Sequence, residues 1–439
     1  MEVDLLVQAR WVVPVEPADT VLDHHAVAVR DGRIVAVCPA AEAAQFTAQT
    51  HLTLDHHLLC PGFINAHGHA AMSLMRGLAD DLPLMEWLQE HIWPAEQQFV
   101  SREFVRDGTA LACAEMLRAG TTCFSDMYFF PDETAEVVDH AHLRAVLGMI
   151  LIDFPSAWAG DPDDYLHKGL ALHDHLKDHA LLSTAFAPHA PYSVSDDSFR
   201  KMAVYAAELD LPVHMHVHET RDEVNQGVAE HGKRPLARLD ELGLLNPNLI
   251  AVHMTQLEDD EIAAVAEAGA SVVHCPRSNM KLASGTCPVQ RLLDAGVNVA
   301  LGTDGAASNN TLDMLAEMRA AALLGKLVAD DAAAVTAEQA LAMATLNGAR
   351  ALGLAEETGS LAVGKWADMQ AIDFDRPETR PVYHPVSQLV YAADRAQISD
   401  VWVAGRHVLR DRALTTLDES MIMERARAWH DKLAQHDQN

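Results

Sequence analysis

Eight short apolar runs recur between Cys60 and Gly302, and no other feature constrains the fold of this chain as strongly. They are Cys60–Ala66, Thr121–Met127, Ala145–Ile152, Leu181–Ala187, Pro212–His218, Leu249–His253, Ser271–Cys275 and Val297–Gly302. Between them lie stretches such as Glu103–Ala119, Ser195–Leu209, Arg234–Leu242, Asp259–Ala268 and Pro288–Ala295, with apolar residues at three- and four-residue spacing. Strand and helix in alternation mean parallel βαβ construction. Eight such units over roughly 245 residues match a (β/α)8 TIM-type barrel, which takes about 250; a doubly wound open sheet fits less well.

The flanks read differently. Val3–Leu59 is a series of short alternating runs, with Asp31-Gly32 placed as a hairpin turn. After helical stretches at Leu312–Leu327 and Ala337–Leu352, β patterning returns in "TGSLAVGKWADMQAIDF" and "ISDVWVAGRHVLRDRAL", punctuated by Gly359, Gly364 and Gly405. The economical arrangement is one small β-sandwich domain built from both chain ends. The expected division is 1–59 for its N-terminal part, 60–357 for the barrel, and 358–439 for its C-terminal part plus a last helix near Ser420–His436.

The net charge of −31 repels phosphate backbones and anionic lipid, which excludes nucleic acid and membranes as partners. No apolar run is long enough to span a bilayer. Acids at Glu2 and Asp4 stand where a secretory signal is basic, and six scattered cysteines suggest neither a disulfide framework nor a thiolate metal site. A cytoplasmic homo-oligomer acting on a small molecule is expected.

Barrel enzymes carry their chemistry at the C-terminal ends of the strands. The first strand here ends in His67 and His69, whose imidazoles an extended backbone projects to one face. The fifth ends in "PVHMHVHET", the sixth in His253 and the eighth in Asp304. His67, His69, one histidine of the fifth strand and Asp304 make a ligand set for one divalent ion with a position open for water. His214, His216 and His218 share one face by period alone. Glu219, three residues after His216, favours His216 as the ligand, with His214 and His218 as buried or loop histidines. The fourth strand has no lysine to bridge two ions, so one Zn2+ per subunit is expected, with Fe2+ or Mn2+ as alternatives. Such an ion makes a nucleophile of water; His253 and Asp304 are placed to orient it, and Glu219 to carry a proton to a ring nitrogen and a leaving amine. This is the chemistry of hydrolytic deamination.

The segments "PGFINAHGHAAMSLMRGLADDLPLMEWLQEHIWPAE", "AFAPHAPYS", "HMHVHET", "CPRSNMKLASG" and "ALGTDGAASNN" resemble the amidohydrolase superfamily, and within it the 5′-methylthioadenosine/S-adenosylhomocysteine deaminases. The resemblance covers nearly the whole chain. It implies that His67, His69, His216 and Asp304 bind metal, that Glu219 and His253 serve proton transfer, that Glu96 holds the ribose hydroxyls and that His189 contacts the nucleoside. Glu96 has its own rationale, since one carboxylate can accept from two vicinal hydroxyls. The resemblance implies a purine nucleoside substrate. Guanine or pterin deamination and triazine hydrolysis on the same fold are the competing readings, and an inert binding protein the weakest.

One departure stands out. Relatives that take S-adenosylhomocysteine present arginines to its carboxylate, one at the end of the third strand. The matching residue here is Met149, and Tyr165 stands near the second position, among Asp161, Asp163 and Asp164 with Lys168 nearby. Met149 is therefore expected to line the 5′ end of the substrate site and to favour a thioether over a carboxylate.

Overall fold

The computed structural model of the protein describes residues 1–436. The N-terminal strands are β1 (Glu2–Val12), β2 (Leu22–Arg30), β3 (Arg33–Pro39) and β4 (Thr47–Pro61). Asp31 and Gly32 both have positive φ (53° and 74°), the conformation a two-residue hairpin requires between Arg30 and Arg33.

Eight parallel strands follow: β5 (Phe63–Gly68), β6 (Thr121–Asp126), β7 (Arg144–Leu151), β8 (Leu182–Pro188), β9 (Val213–Val217), β10 (Leu249–His253), β11 (Ser271–His274) and β12 (Asn298–Leu301). They hydrogen-bond in chain order, and one face of this sheet gathers Ile64, Cys123, Val146, Ala185, Ile250, Val252, Val273 and Ala300 into an apolar cluster with Ala349 and Leu352. The seam between β12 and β5 is closed by side-chain and backbone hydrogen bonds just beyond the end of β12. Thr303 N donates to Asn65 Oδ1 (2.9 Å), Asn65 Nδ2 to Thr303 Oγ1 (2.8 Å), and Asp304 N to His67 O (3.1 Å). A Cβ on Gly302 would sit 2.8 Å from His67 Cβ, so a glycine is what lets the last strand approach the first.

The C-terminal strands β13 (Met369–Asp373), β14 (Ile398–Val403), β15 (Arg406–Arg410) and β16 (Ala413–Leu414) join the N-terminal ones in a second eight-stranded sheet, where β4 lies between β1 and β13. That sheet folds over a core of Val7, Val29, Ile34, Leu59, Met369 and Trp402, and Ile34 bonds back to the 364–365 turn. The first barrel strand was expected from Cys60; instead β4 runs on to Pro61 in the outer sheet and the barrel begins at Phe63. The turn between them passes through Gly62, where a Cβ would strike Thr122 at 2.1 Å.

A buried ion pair ties sheet to barrel, Arg144 Nε to Asp368 Oδ2 at 2.9 Å, with Thr358 Oγ1 and Ala404 N also donating to Asp368. The last helix, Glu419–His436, docks through Trp429 and Arg425, which both donate to Asp107. Residues 437–439 of the expected C-terminal part lie outside the described residues. Among the described residues no helix is long and apolar enough to cross a membrane.

Candidate metal centre and substrate cavity

The C-terminal ends of β5, β9, β10 and β12 converge. One ligand atom from each of His67, His216, His253 and Asp304 falls within 4.8 Å of the others, and all four residues are buried. His69, expected as a ligand, is not in that quartet, but its Nε2 approaches Asp304 Oδ1 at 3.1 Å, beside His67 Nε2 at 3.3 Å.

The fifth-strand ambiguity resolves through the backbone. His214 and His216 share the lumen face, whereas His218 adopts φ +53°, breaks the two-residue alternation and turns its ring to Leu236 N (3.2 Å). His216 Nε2 comes to 3.2 Å from His67 Nε2.

Each imidazole is oriented from behind. His69 Nδ1 donates to Met127 O (2.6 Å), His216 Nδ1 to His189 O (2.7 Å) and His253 Nδ1 to Asn279 Oδ1 (2.8 Å), so all three turn Nε2 toward the centre. Two such nitrogens 3.2 Å apart repel unless a cation or proton lies between them. Burial drives His67 down to about 4 and His216 well below the usual imidazole range, so both are neutral, as ligands must be. Burial also works against charge on His69, yet the Asp304 carboxylate outweighs it and pushes His69 up to about 9. The cluster thus draws positive charge toward Asp304, a demand that a divalent ion meets. Asp304 is held by Ser278 Oγ (2.6 Å) and Ser308 Oγ (2.7 Å) on Oδ2, and by Gly305 N on Oδ1.

Glu219 Oε1 lies 3.9 Å from His253 Nε2, and burial raises its pKa. Its backbone is fixed by Glu223, which accepts from His218 N (2.8 Å) and Glu219 N (2.6 Å).

These groups floor a cavity of about 500 Å3. Glu96 stands on its wall, from a helix of Trp93–Phe99, and accepts from Tyr128 Oη at 2.7 Å; desolvation pushes its carboxyl up to about 7. His189 also lines the cavity, its Nδ1 2.9 Å from Ser193 Oγ.

The expectation for Met149 is corrected. The parity of β7 turns its side chain to the helix Pro162–Leu176, where it packs against Gly169, and the cavity is lined instead by Ile150, Ile152 and Phe154. Tyr165 is buried on Trp158, and Lys168 bonds Asp164 and the Trp158 carbonyl away from this cavity. Among the described residues Arg238 is the one arginine on the lining, and Asp196, Pro191 O and Val194 O occupy its guanidinium.

Sequence reasoning missed Tyr128, Glu223 and the buttresses Ser278, Asn279 and Ser308. The segment "CPRSNMKLASG" did carry a signal. Its Ser278 and Asn279 hold Asp304 and His253, and Lys281 ties Asp80 to the loop after β12.

A barrel that gathers buried imidazoles and an aspartate at one end of its strands, with a glutamate beside them, defines a class of metal-dependent hydrolases. The amidohydrolase family model matches residues 58–408. A protein of Teredinibacter turnerae named 5-methylthioadenosine/S-adenosylhomocysteine deaminase is 51% identical over 432 residues, 98% of each chain. One of the same name from Haloarcula marismortui is 45% identical over 90% of each. A crystal structure described as an adenosine deaminase from Xanthomonas campestris with bound zinc is 53% identical, covers 99% of both chains and superposes with a TM-score of 0.98. An atrazine chlorohydrolase of Arthrobacter aurescens shares the fold at 21% identity, with a TM-score of 0.91 over 97% of this chain and 99% of that one. The chain belongs to the amidohydrolase family and, within it, to the 5-methylthioadenosine/S-adenosylhomocysteine deaminases.

Proposed function

We propose that this protein is a zinc-dependent hydrolytic deaminase that converts 5′-methylthioadenosine, and related adenosines, to the inosine analogue with release of ammonia. The observation that carries this reading is one cavity lined both by the His/Asp cluster with Glu219 and by the tethered carboxylate of Glu96. A hydrolytic centre and a diol acceptor in the same cavity suit a nucleoside better than a free base.

His67, His69, His216 and Asp304 would hold the ion, with His253 close by. When bound, a zinc ion there supplies a nucleophile by lowering the pKa of a water toward neutrality. His253, fixed by Asn279, accepts a hydrogen bond from the attacking water and aims it at C6. Glu219, whose burial raises its pKa and lets it hold a proton, takes the one that the attacking water gives up and delivers it to the neighbouring ring nitrogen as C6 becomes tetrahedral, then takes the remaining hydroxyl proton and passes it to the departing amine. The C6–N bond breaks, ammonia leaves and C6 becomes a carbonyl. Glu96, aligned by Tyr128, accepts from the 2′ and 3′ hydroxyls, and His189 borders the nucleoside. The six cysteines are buried and unpaired, which suits the reducing cytoplasm.

Ammonia release across adenosine, 5′-methylthioadenosine, S-adenosylhomocysteine, guanine, a pterin and a triazine tests the reading. Turnover concentrated in the adenosines is expected; turnover of guanine, pterin or triazine alone would overturn it.

A further inference from the structure

His67 differs from its neighbours in what stands behind it. Met127 O, His189 O and Asn279 Oδ1 can only accept, so each fixes the tautomer of His69, His216 or His253 by itself. Behind His67 Nδ1, at 3.0 Å, is Nε2 of another imidazole, His214, set edge to face with ring centroids 4.9 Å apart. An imidazole nitrogen can donate or accept. If His214 Nε2 carried its hydrogen, His67 would have to take its own on Nε2 and would lose the lone pair it turns toward Asp304.

The next group is a hydroxyl, which can accept as well as donate and so admits the direction that a metal-binding His67 needs. His214 Nδ1 lies 3.1 Å from Ser125 Oγ on β6, and both rings and the serine are closed off from solvent. A hydrogen on His214 Nδ1 donated to Ser125 leaves Nε2 as an acceptor, which draws the His67 hydrogen onto Nδ1. We infer that Ser125 and His214 form a tautomer lock that keeps His67 Nε2 free to bind metal, so that His214 is a positioning residue one layer beneath the centre. The lock explains why the lumen face of β9 carries two histidines, of which His216 alone reaches the centre. It rests on the reading that this cluster holds a divalent ion.

The test is zinc affinity by chelator competition, with the rate of zinc release as a second readout, on the full-length protein and its His214→Leu, His214→Gln and Ser125→Ala variants. Partners behind a ligating histidine are typically worth about 10- to 100-fold in metal affinity. His214→Leu is expected to weaken zinc by about that factor and speed its release. His214→Gln, whose amide oxygen reaches the position of Nε2, should restore most of the affinity, and Ser125→Ala should fall between. Equal zinc affinity and release in His214→Leu and the unmutated protein would overturn the lock. Equal losses in the Leu and Gln variants would overturn it too, because loss of packing rather than of an acceptor would then explain them. If His214→Leu fails to fold, Ser125→Ala decides, since unchanged zinc release there also removes the lock. An unmutated protein that binds no zinc removes the metal-centre reading itself, a result distinct from all of these.

Discussion

His253 Nε2 faces Glu219 Oε1 across 3.9 Å because His253 Nδ1 is held by Asn279 Oδ1 on the far side of the ring. In the proposed mechanism the two stand beside the attacking water and the purine C6, an imidazole held by Asn279 next to a carboxyl whose burial raises its pKa. Replacing Glu219 by Gln preserves shape and removes the proton. Zinc content should stay unchanged while kcat falls by about 10²- to 10⁴-fold, the usual contribution of a general acid–base group. Near-normal turnover in a zinc-replete Glu219→Gln protein would take Glu219 out of the mechanism.

Loss of a ligand has a different signature. His67→Ala and Asp304→Ala should lose zinc and activity together, and dialysis of the unmutated enzyme against a chelator should abolish turnover until zinc is returned. Full metal and full activity in either variant would show that the ligand assignment is wrong.

Glu96 gives a pH dependence whose sign follows from its environment. Desolvation raises its carboxyl to about 7, and only the ionised form accepts from both ribose hydroxyls without offering a proton. KM for a nucleoside should therefore fall as pH rises through about 7, and Glu96→Gln should flatten that profile. Hydrogen bonds to a charged group are worth roughly 1.5–3 kcal/mol, so Glu96→Ala should lose about one to two powers of ten in kcat/KM. If that loss is the same for 2′,3′-dideoxyadenosine as for adenosine, the contact is not to the sugar.

Arg144 and Asp368 are both buried, and Arg144 is the barrel's half of the pair. Removing one partner of a buried ion pair typically costs about 3–5 kcal/mol, because the other is left charged and unpaired. Arg144→Met should accordingly lower the urea midpoint of unfolding while leaving kcat of the folded, zinc-replete enzyme intact. An unchanged midpoint would mean that Thr358 and Ala404 alone satisfy Asp368.

The barrel was legible because eight apolar runs alternate with helical periodicity, and the site was legible because His67, His69, His216, His253 and Asp304 sit where those runs end. What escaped the sequence has physical causes. The φ of +53° that removes His218 from the lumen face is not predictable from residue type, since histidine tolerates positive φ but far more often adopts negative φ, as His216 and His214 do two and four residues earlier. Tyr128 meets Glu96 only through the packing of two distant segments. Met149 was misplaced because β7 is buried throughout, so "RAVLGMIL" shows no alternation of polarity to distinguish lumen from helix side.

That correction changes the argument for the 5′ substituent without reversing its direction. The cavity wall includes Ile150, Ile152, Phe154, Trp87 and Leu88, apolar surface that suits a methylthio group. A carboxylate there would meet Asp153 and Glu230, which also line the cavity, while the one arginine, Arg238, already gives its hydrogens to Asp196, Pro191 O and Val194 O. Lys168, the nearest lysine in sequence to the expected arginine position, is committed to Asp164 and the Trp158 carbonyl elsewhere. S-adenosylhomocysteine must therefore bring its carboxylate into a largely apolar, partly acidic compartment with no free arginine or lysine among the described residues of its lining, whereas 5′-methylthioadenosine brings no charge at all. Leaving one charged group without its partner costs on the order of 1–3 kcal/mol, so kcat/KM should favour 5′-methylthioadenosine by about ten- to a hundred-fold, mostly through KM. Substituting Ile152 by Arg, to place a cation on that wall, should narrow the gap. Side-by-side kinetics that give S-adenosylhomocysteine an equal or higher kcat/KM in the unmutated enzyme would sink the idea.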